Sequence, residues 1–112
     1  QPMPRELLLA GNSEAALAAY RKLQEAHDEA ASEGYLNDEG TGLADLGLFD
    51  PAIKVLLLNT VLYPDSANTW DGVGSAYAKQ GDKEQARKYY RKALEIDPRF
   101  PSAIAALEKL GD

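Results

Sequence analysis

A chain of 112 residues with a formal net charge of −6 is one domain's worth of sequence, with room for a modest core. At 45% hydrophobic and 27% charged it has ordinary globular composition, and no apolar run approaches the ~20 residues of a membrane-spanning helix, so neither a disordered tail nor a membrane partner is expected. There is no cysteine, which excludes disulfides, thiol catalysis and thiolate metal sites and leaves the compartment open.

Hydrophobic periodicity predicts seven helices, at about 4–10, 13–31, 36–46, 50–62, 67–80, 83–96 and 101–110. The first carries Leu7, Leu8 and Leu9. The second is marked by Gly11-Asn12-x-Glu14-x-Ala16-x-x-x-Tyr20-Arg21-Lys22. The third runs from Leu36 through Gly40 and Leu43 to Gly47. The fourth opens on Asp50-Pro51, read as an N-cap followed by proline at the first helical position. It is apolar on every side, with Ile53, Val55, Leu56, Leu57, Leu58, Val61 and Leu62. In the fifth, Trp70, Val73 and Tyr77 share one face, and Gly74 lets a second helix approach that face closely. Gly81 ends this helix as a left-handed C-cap, and Asp82 with Gln85 starts the sixth. Ala86, Tyr90 and Ala93 form the packing stripe of the sixth helix, which Pro98 stops. In the last, Ile104, Leu107 and Leu110 cover the end of the array, and Gly111 closes it.

The stretch Trp70-x-x-Val73-Gly74-x-x-Tyr77, Ala86-x-x-x-Tyr90, Pro98 resembles the tetratricopeptide repeat, an antiparallel helix pair of about 34 residues. Val73 stands for the family's Leu and Tyr90 for its Phe. A shift of 34 places Trp70 on Leu36, Gly74 on Gly40, Gly81 on Gly47, Ala86 on Ala52, Tyr90 on Leu56 and Pro98 on Pro64, a degenerate second repeat. Gly11 lies 36 residues before Gly47, so about two extra residues are expected near Ala31 to Tyr35. The resemblance implies an all-α fold of helix pairs stacked in a right-handed superhelix. Its expected parts are a truncated repeat (1–34), a degenerate one (35–66), a well-matched one (67–100) and a capping helix (101–112).

A second resemblance spans about 11–110. Ala16-Leu17-x-x-Tyr20-Arg21-x-Leu23 followed by Leu36-Asn37-x-x-Gly40 is similar to the helical tail of bacterial serine hydrolases of the β-lactamase-like or esterase type. It implies a parent enzyme upstream of Gln1, and the absence of an initiator methionine agrees with a processed or excised segment. It places no catalytic residue here.

The charge is uneven. Residues 1–66 hold 11 acids and 4 bases, whereas 67–112 hold 7 acids and 8 bases. An acidic front half argues against nucleic acid as partner. The basic run Arg87, Lys88, Arg91 and Lys92 reads as a solvated helix face. Neither Gly-x-Ser-x-Gly nor Ser-x-x-Lys occurs, and the single histidine, His27, sits among acids as a surface residue. No catalytic constellation, cofactor site or metal site is predicted, and this chain is not expected to be an enzyme.

What remains is a binding surface. The resemblance places the first helix of each pair along a groove, and the residues off the packing stripe there are Asn37, Asp38, Thr41, Asp45, Asn68, Asp71, Gly72, Ser75 and Lys79. They suit a basic or neutral peptide rather than a carboxylate. Glu39 replaces an apolar residue of the stripe. It must be paired, protonated or exposed, in a helix weakened by Gly40 and Gly42 or in contact with a ligand or upstream domain. Ile53 and Leu57 stand where Arg87 and Arg91 stand one repeat later. They are either buried under neighbouring helices or an interface for a second copy or a catalytic domain.

Overall fold

A computed structural model describes residues 3–111; positions 1, 2 and 112 of the expected domain lie outside the described residues. Seven α-helices and one 3-10 turn are found among those residues. They are α1 (Pro4–Leu9), α2 (Ser13–Glu25), the turn Glu29–Ala31, α3 (Glu33–Asp45), α4 (Phe49–Leu62), α5 (Ala67–Gln80), α6 (Lys83–Ile96) and α7 (Pro101–Lys109). Consecutive helices pair as α1 with α2, α3 with α4 and α5 with α6. The pairs stack through α3 on α5 and α4 on α5, and α7 covers α6 and touches α5. The result is an elongated helical-repeat superhelix, 46 × 26 × 19 Å.

The repeat seen in the sequence recurs as one packing device. Gly40 of α3 and Gly74 of α5 stand 34 residues apart, as do Leu56 of α4 and Tyr90 of α6. At each glycine the paired helix comes so close that an added Cβ would overlap the partner side chain: Leu56 at Gly40, and the Tyr90 ring at 2.9–3.1 Å at Gly74. Leu56 is fully buried and Tyr90 nearly so. The missing Cβ therefore sets how near the two helices of each pair lie. A third close approach joins neighbouring pairs: a Cβ on Gly72 would stand 2.8 Å from Asn37 Oδ1. Gly72 is thus buried at the α3–α5 crossing, not groove-lining.

Helix ends follow the same repetition. After α1, α3 and α5 the chain turns through Gly11, Gly47 and Gly81, with φ of 88°, 79° and 94°. The amides of each glycine and of the residue after it bond back inside the helix, as in Gly81 N–H to Ala78 O (3.1 Å) and Asp82 N–H to Tyr77 O (3.0 Å). Asp82 caps α6 by accepting from Gln85 N–H at 3.2 Å. The corresponding position before α4 is Leu48, which offers no side-chain cap, so α4 starts at Phe49. The expected N-cap, Asp50, lies inside the first turn, where its charge faces the positive end of the helix dipole.

The predicted single helix 13–31 is corrected. α2 stops at Glu25, because the chain makes the same reversal there with His27 in the left-handed region (φ 56°). His27 N–H bonds to Gln24 O (3.0 Å) and Asp28 N–H to Leu23 O (2.9 Å). Asp28 then caps the 3-10 turn through Ala30 N–H at 2.9 Å, and Ser32 accepts from Tyr35 N–H at 3.3 Å, so α3 begins at Glu33 rather than 36. The extra residues of this repeat therefore sit in 26–32. The segment is pinned from just past α4, where the Tyr63 hydroxyl donates to Ala31 O at 2.6 Å.

The core divides into three clusters along the stack, centred on Tyr20, Leu36 and Val55; on Leu56 and Val73; and on Ala86, Tyr90 and Leu107. The basic run of α6 is not merely solvated. Arg87 donates to Leu110 O (2.9 Å), tying down the end of α7, and Lys92 lies over the Trp70 ring. No helix among the described residues is long and apolar enough to cross a membrane.

Candidate functional site: the face of the first helices

α1, α3 and α5 present their outer turns along one side of the stack. Most of the predicted groove residues on this side already spend their polar groups inside the molecule. Asp45 and Lys79, one repeat apart, form an ion pair across α3 and α5. The Thr41 hydroxyl donates to its own helix, at Asn37 O (2.9 Å). Asn37 is half-buried, with Oδ1 against Gly72. Asn68 turns toward Glu33 Oε2 (3.5 Å), which also accepts from Ser66 Oγ at 2.8 Å. Ser75 hydrogen-bonds the Tyr90 hydroxyl, which opposes the rise in the Tyr90 pKa caused first by burial and then by the charge of Asp71. Asp38 is exposed, with no such tie among the described contacts.

Asp71 serves the cap. Its Oδ2 accepts from Ser102 of α7 at 3.0 Å, and its Oδ1 is buried with no hydrogen-bond partner among the described residues. Burial pushes this carboxyl above the ordinary carboxylate value, and the Ser102 bond only partly opposes the rise.

The open part of the face lies toward α1. α3 packs along α5, but the six-residue α1 rests on α2 and α4, leaving a gap between α1 and α3. A cleft of about 500 Å³ fills it, bounded by Met3, Arg5, Tyr20, Leu23, Asp28, Tyr35 and Glu39 among others. A second, more open hollow of about 520 Å³ shares Arg5, Tyr35 and Glu39 and runs past Asp38 to Leu46. Together they form one trough. Glu39 is paired: its Oε2 lies 2.8 Å from Arg5 Nη1, with the glutamate side chain 12% exposed and the arginine 49%. The Tyr20 pKa is raised by burial first and then by the Glu39 charge, with Arg5 pulling the other way.

Arg5, Tyr20, Tyr35 and Ser102 were not among the site residues expected from the sequence, where Tyr20 stood only as part of the repeat pattern. One signal was available for Arg5. Arg5 and Glu39, like Asp45 and Lys79, stand 34 residues apart, the length of the repeat. In a stack of repeats, opposite charges one period apart meet on successive first helices. Ile53 and Leu57 are half-buried, packed against the cluster of Ala52, Leu56 and Val73.

The sequence pattern of the tetratricopeptide repeat family matches residues 67–100. The matched stretch is the α5–α6 pair. Two curated proteins are similar over part of it. One is the Protein CTR9 homolog of Arabidopsis thaliana, 36% identical over 73 residues, which is 63% of this chain and 7% of that protein. The other is the probable biofilm formation methyltransferase WspC of Pseudomonas putida, 40% identical over 48 residues, 43% of this chain and 11% of that one. The chain thus spans about a tenth or less of either relative. Among solved structures, the first tetratricopeptide repeat domain of Spaghetti (RPAP3), bound to the HSP90 peptide SRMEEVD, matches with a TM-score of 0.65 and 19% identity. It covers 96% of this chain and 84% of that one, and the likeness is one of fold.

Proposed function

We propose that this chain is a non-catalytic protein-interaction module that takes an extended basic or neutral peptide segment along α1, α3 and α5. The observation that carries this reading is the trough walled by Arg5, Tyr35 and Glu39 and running past Asp38, on helices held rigid by the stacked core. The solved neighbour was captured with SRMEEVD, an acidic peptide. Here the 11 acids of residues 1–66 face 4 bases, and Lys79 is already paired with Asp45, so an acidic segment meets repulsion. The test is fluorescence anisotropy with blocked, labelled Gly/Ser peptides carrying a central Arg or a central Glu. The Arg peptide is expected to bind and to weaken on Asp38→Lys with helicity unchanged. Equal binding of the Glu peptide, or none of either, would remove the groove from the account.

A second reading, an accessory tail that docks on the catalytic domain of a larger serine hydrolase or pairs with another copy, draws support from one feature. A cleft of about 220 Å³ between α2 and α4 is lined by Leu17, Leu57, Leu58 and the 46%-exposed Val61. Leu57→Arg and Val61→Arg are then expected to abolish dimers in light scattering, and dimers that persist in both would exclude this face; Ile53→Arg tests the neighbouring position.

A further inference from the structure

The gap between α1 and α3 holds a charge arrangement that packing alone does not require. Glu39 stands where the next repeat has Val73, which is fully buried in the core. Its carboxylate instead closes the inner side of a cleft of about 500 Å³. Its ion-pair partner among the described residues, Arg5, reaches in from the half-solvated end helix. The Tyr20 hydroxyl is near enough to feel both charges, and half-exposed Tyr35 forms the facing wall. Glu6 and Asp28 also line the cleft, so three carboxylates and one guanidinium share its lining.

We infer that this cleft is a pocket for an arginine side chain of the partner segment, whose guanidinium takes the Glu39 carboxylate in place of Arg5. The inference rests on the interaction reading above and names its anchoring side chain. A carboxylate deep in a cleft accepts the planar two-pronged donor of arginine better than the point charge of lysine. Tyrosine walls offer ring faces to the same flat cation. The exchange keeps Glu39 paired throughout, so no buried charge is stranded. Arg5 can leave at small cost because half of its side chain is already in water. Arg5 is then an internal competitor that holds the pocket ready in the free protein.

The experiment uses the full chain and blocked, labelled Gly/Ser peptides with a central Arg, Lys or citrulline, the last being the neutral isostere of arginine. Affinity is expected in the order Arg, Lys, citrulline. Glu39→Gln should weaken the Arg peptide about tenfold, close to the level of the citrulline peptide. Arg5→Ala should tighten the Arg peptide by about threefold to tenfold, because the competing state is gone. A merely structural bridge predicts the opposite sign. The Arg5 Nε–Hε resonance should also move toward that of a free arginine on saturation with the Arg peptide. Arg5→Ala that weakens binding or leaves it unchanged overturns the pocket, as does equal binding of the citrulline peptide. If Glu39→Gln fails to fold, Arg5→Ala and the resonance shift still decide. If Asp38→Lys weakens the Arg peptide while Arg5→Ala and Glu39→Gln do not affect it, the pocket falls and the interaction reading stands. If no peptide binds the unmodified chain, both fall.

Discussion

Adding one methyl group to α3 should destabilise this protein at Gly40 and stabilise it at Gly42, two residues away. At Gly40 the new Cβ would overlap Leu56 Cγ and Cδ2 and stand 3.1 Å from Cδ1, and Leu56 is fully buried with nowhere to move. Overpacking of this kind costs about 1–3 kcal/mol, and complete burial of Leu56 places Gly40→Ala at the upper end. Replacing glycine by alanine in a helix returns about 1 kcal/mol, leaving a net loss near 2 kcal/mol. At Gly42 nothing lies within 4 Å, so only the gain remains. With an unfolding entropy of about 2.1 cal/mol/K per residue, the two variants should melt on opposite sides of the parent, about 8 °C below and 4 °C above. Thermal circular dichroism reads both. Leu56→Ala opens the space, so its own cost, about 2–5 kcal/mol alone, should shrink by most of the overpacking penalty in the Gly40→Ala background. Equal melting temperatures for Gly40→Ala and Gly42→Ala would refute the close helix contact, and with it the reason for a glycine at this point of each repeat.

Three further outcomes are expected. His27→Gly should raise stability by about 0.5 kcal/mol in urea unfolding. Glycine relieves the ~1 kcal/mol cost of a left-handed L-residue and returns part of that gain through its freer unfolded chain; a lowered midpoint would argue against the reversal at the end of α2. Asp71 is protonated more readily in the native chain than in the unfolded one, because burial raises its pKa. Its contribution to stability is therefore complete below the ordinary carboxylate value and is lost as pH rises through the native one. Asp71→Asn cannot titrate and keeps an oxygen for Ser102, so its advantage over the parent should grow with pH across that window, whereas a constant difference in unfolding midpoints would contradict the buried carboxyl. Lys79→Ala should cost no more than about 1 kcal/mol and less still at high salt, since the Asp45–Lys79 pair is exposed on both sides; a larger loss would show that the pair holds α3 to α5.

Local chemistry determined much of this fold on its own. The helix-period stripes at Trp70, Val73 and Tyr77 and at Ala86, Tyr90 and Ala93, together with the turns at Gly11, Gly47 and Gly81, are short-range signals, and they define helix pairs and their repeat. The end of α2 escaped because the reversing residue is His27, which carries no glycine signature and adopts the left-handed backbone through bonds to Gln24 and Leu23. The start of α4 moved because its first turn forms without a capping side chain at Leu48. The site was legible only as a face. Which of its polar groups remain open depends on partners that lie a whole repeat away, such as Lys79 for Asp45 and Arg5 for Glu39, or on the capping helix, as Ser102 for Asp71. Periodicity places a residue on a side of its own helix. Only the stacking of successive helices, set by the close contacts at Gly40, Gly72 and Gly74 and by the gap beside α1, decides what that residue meets.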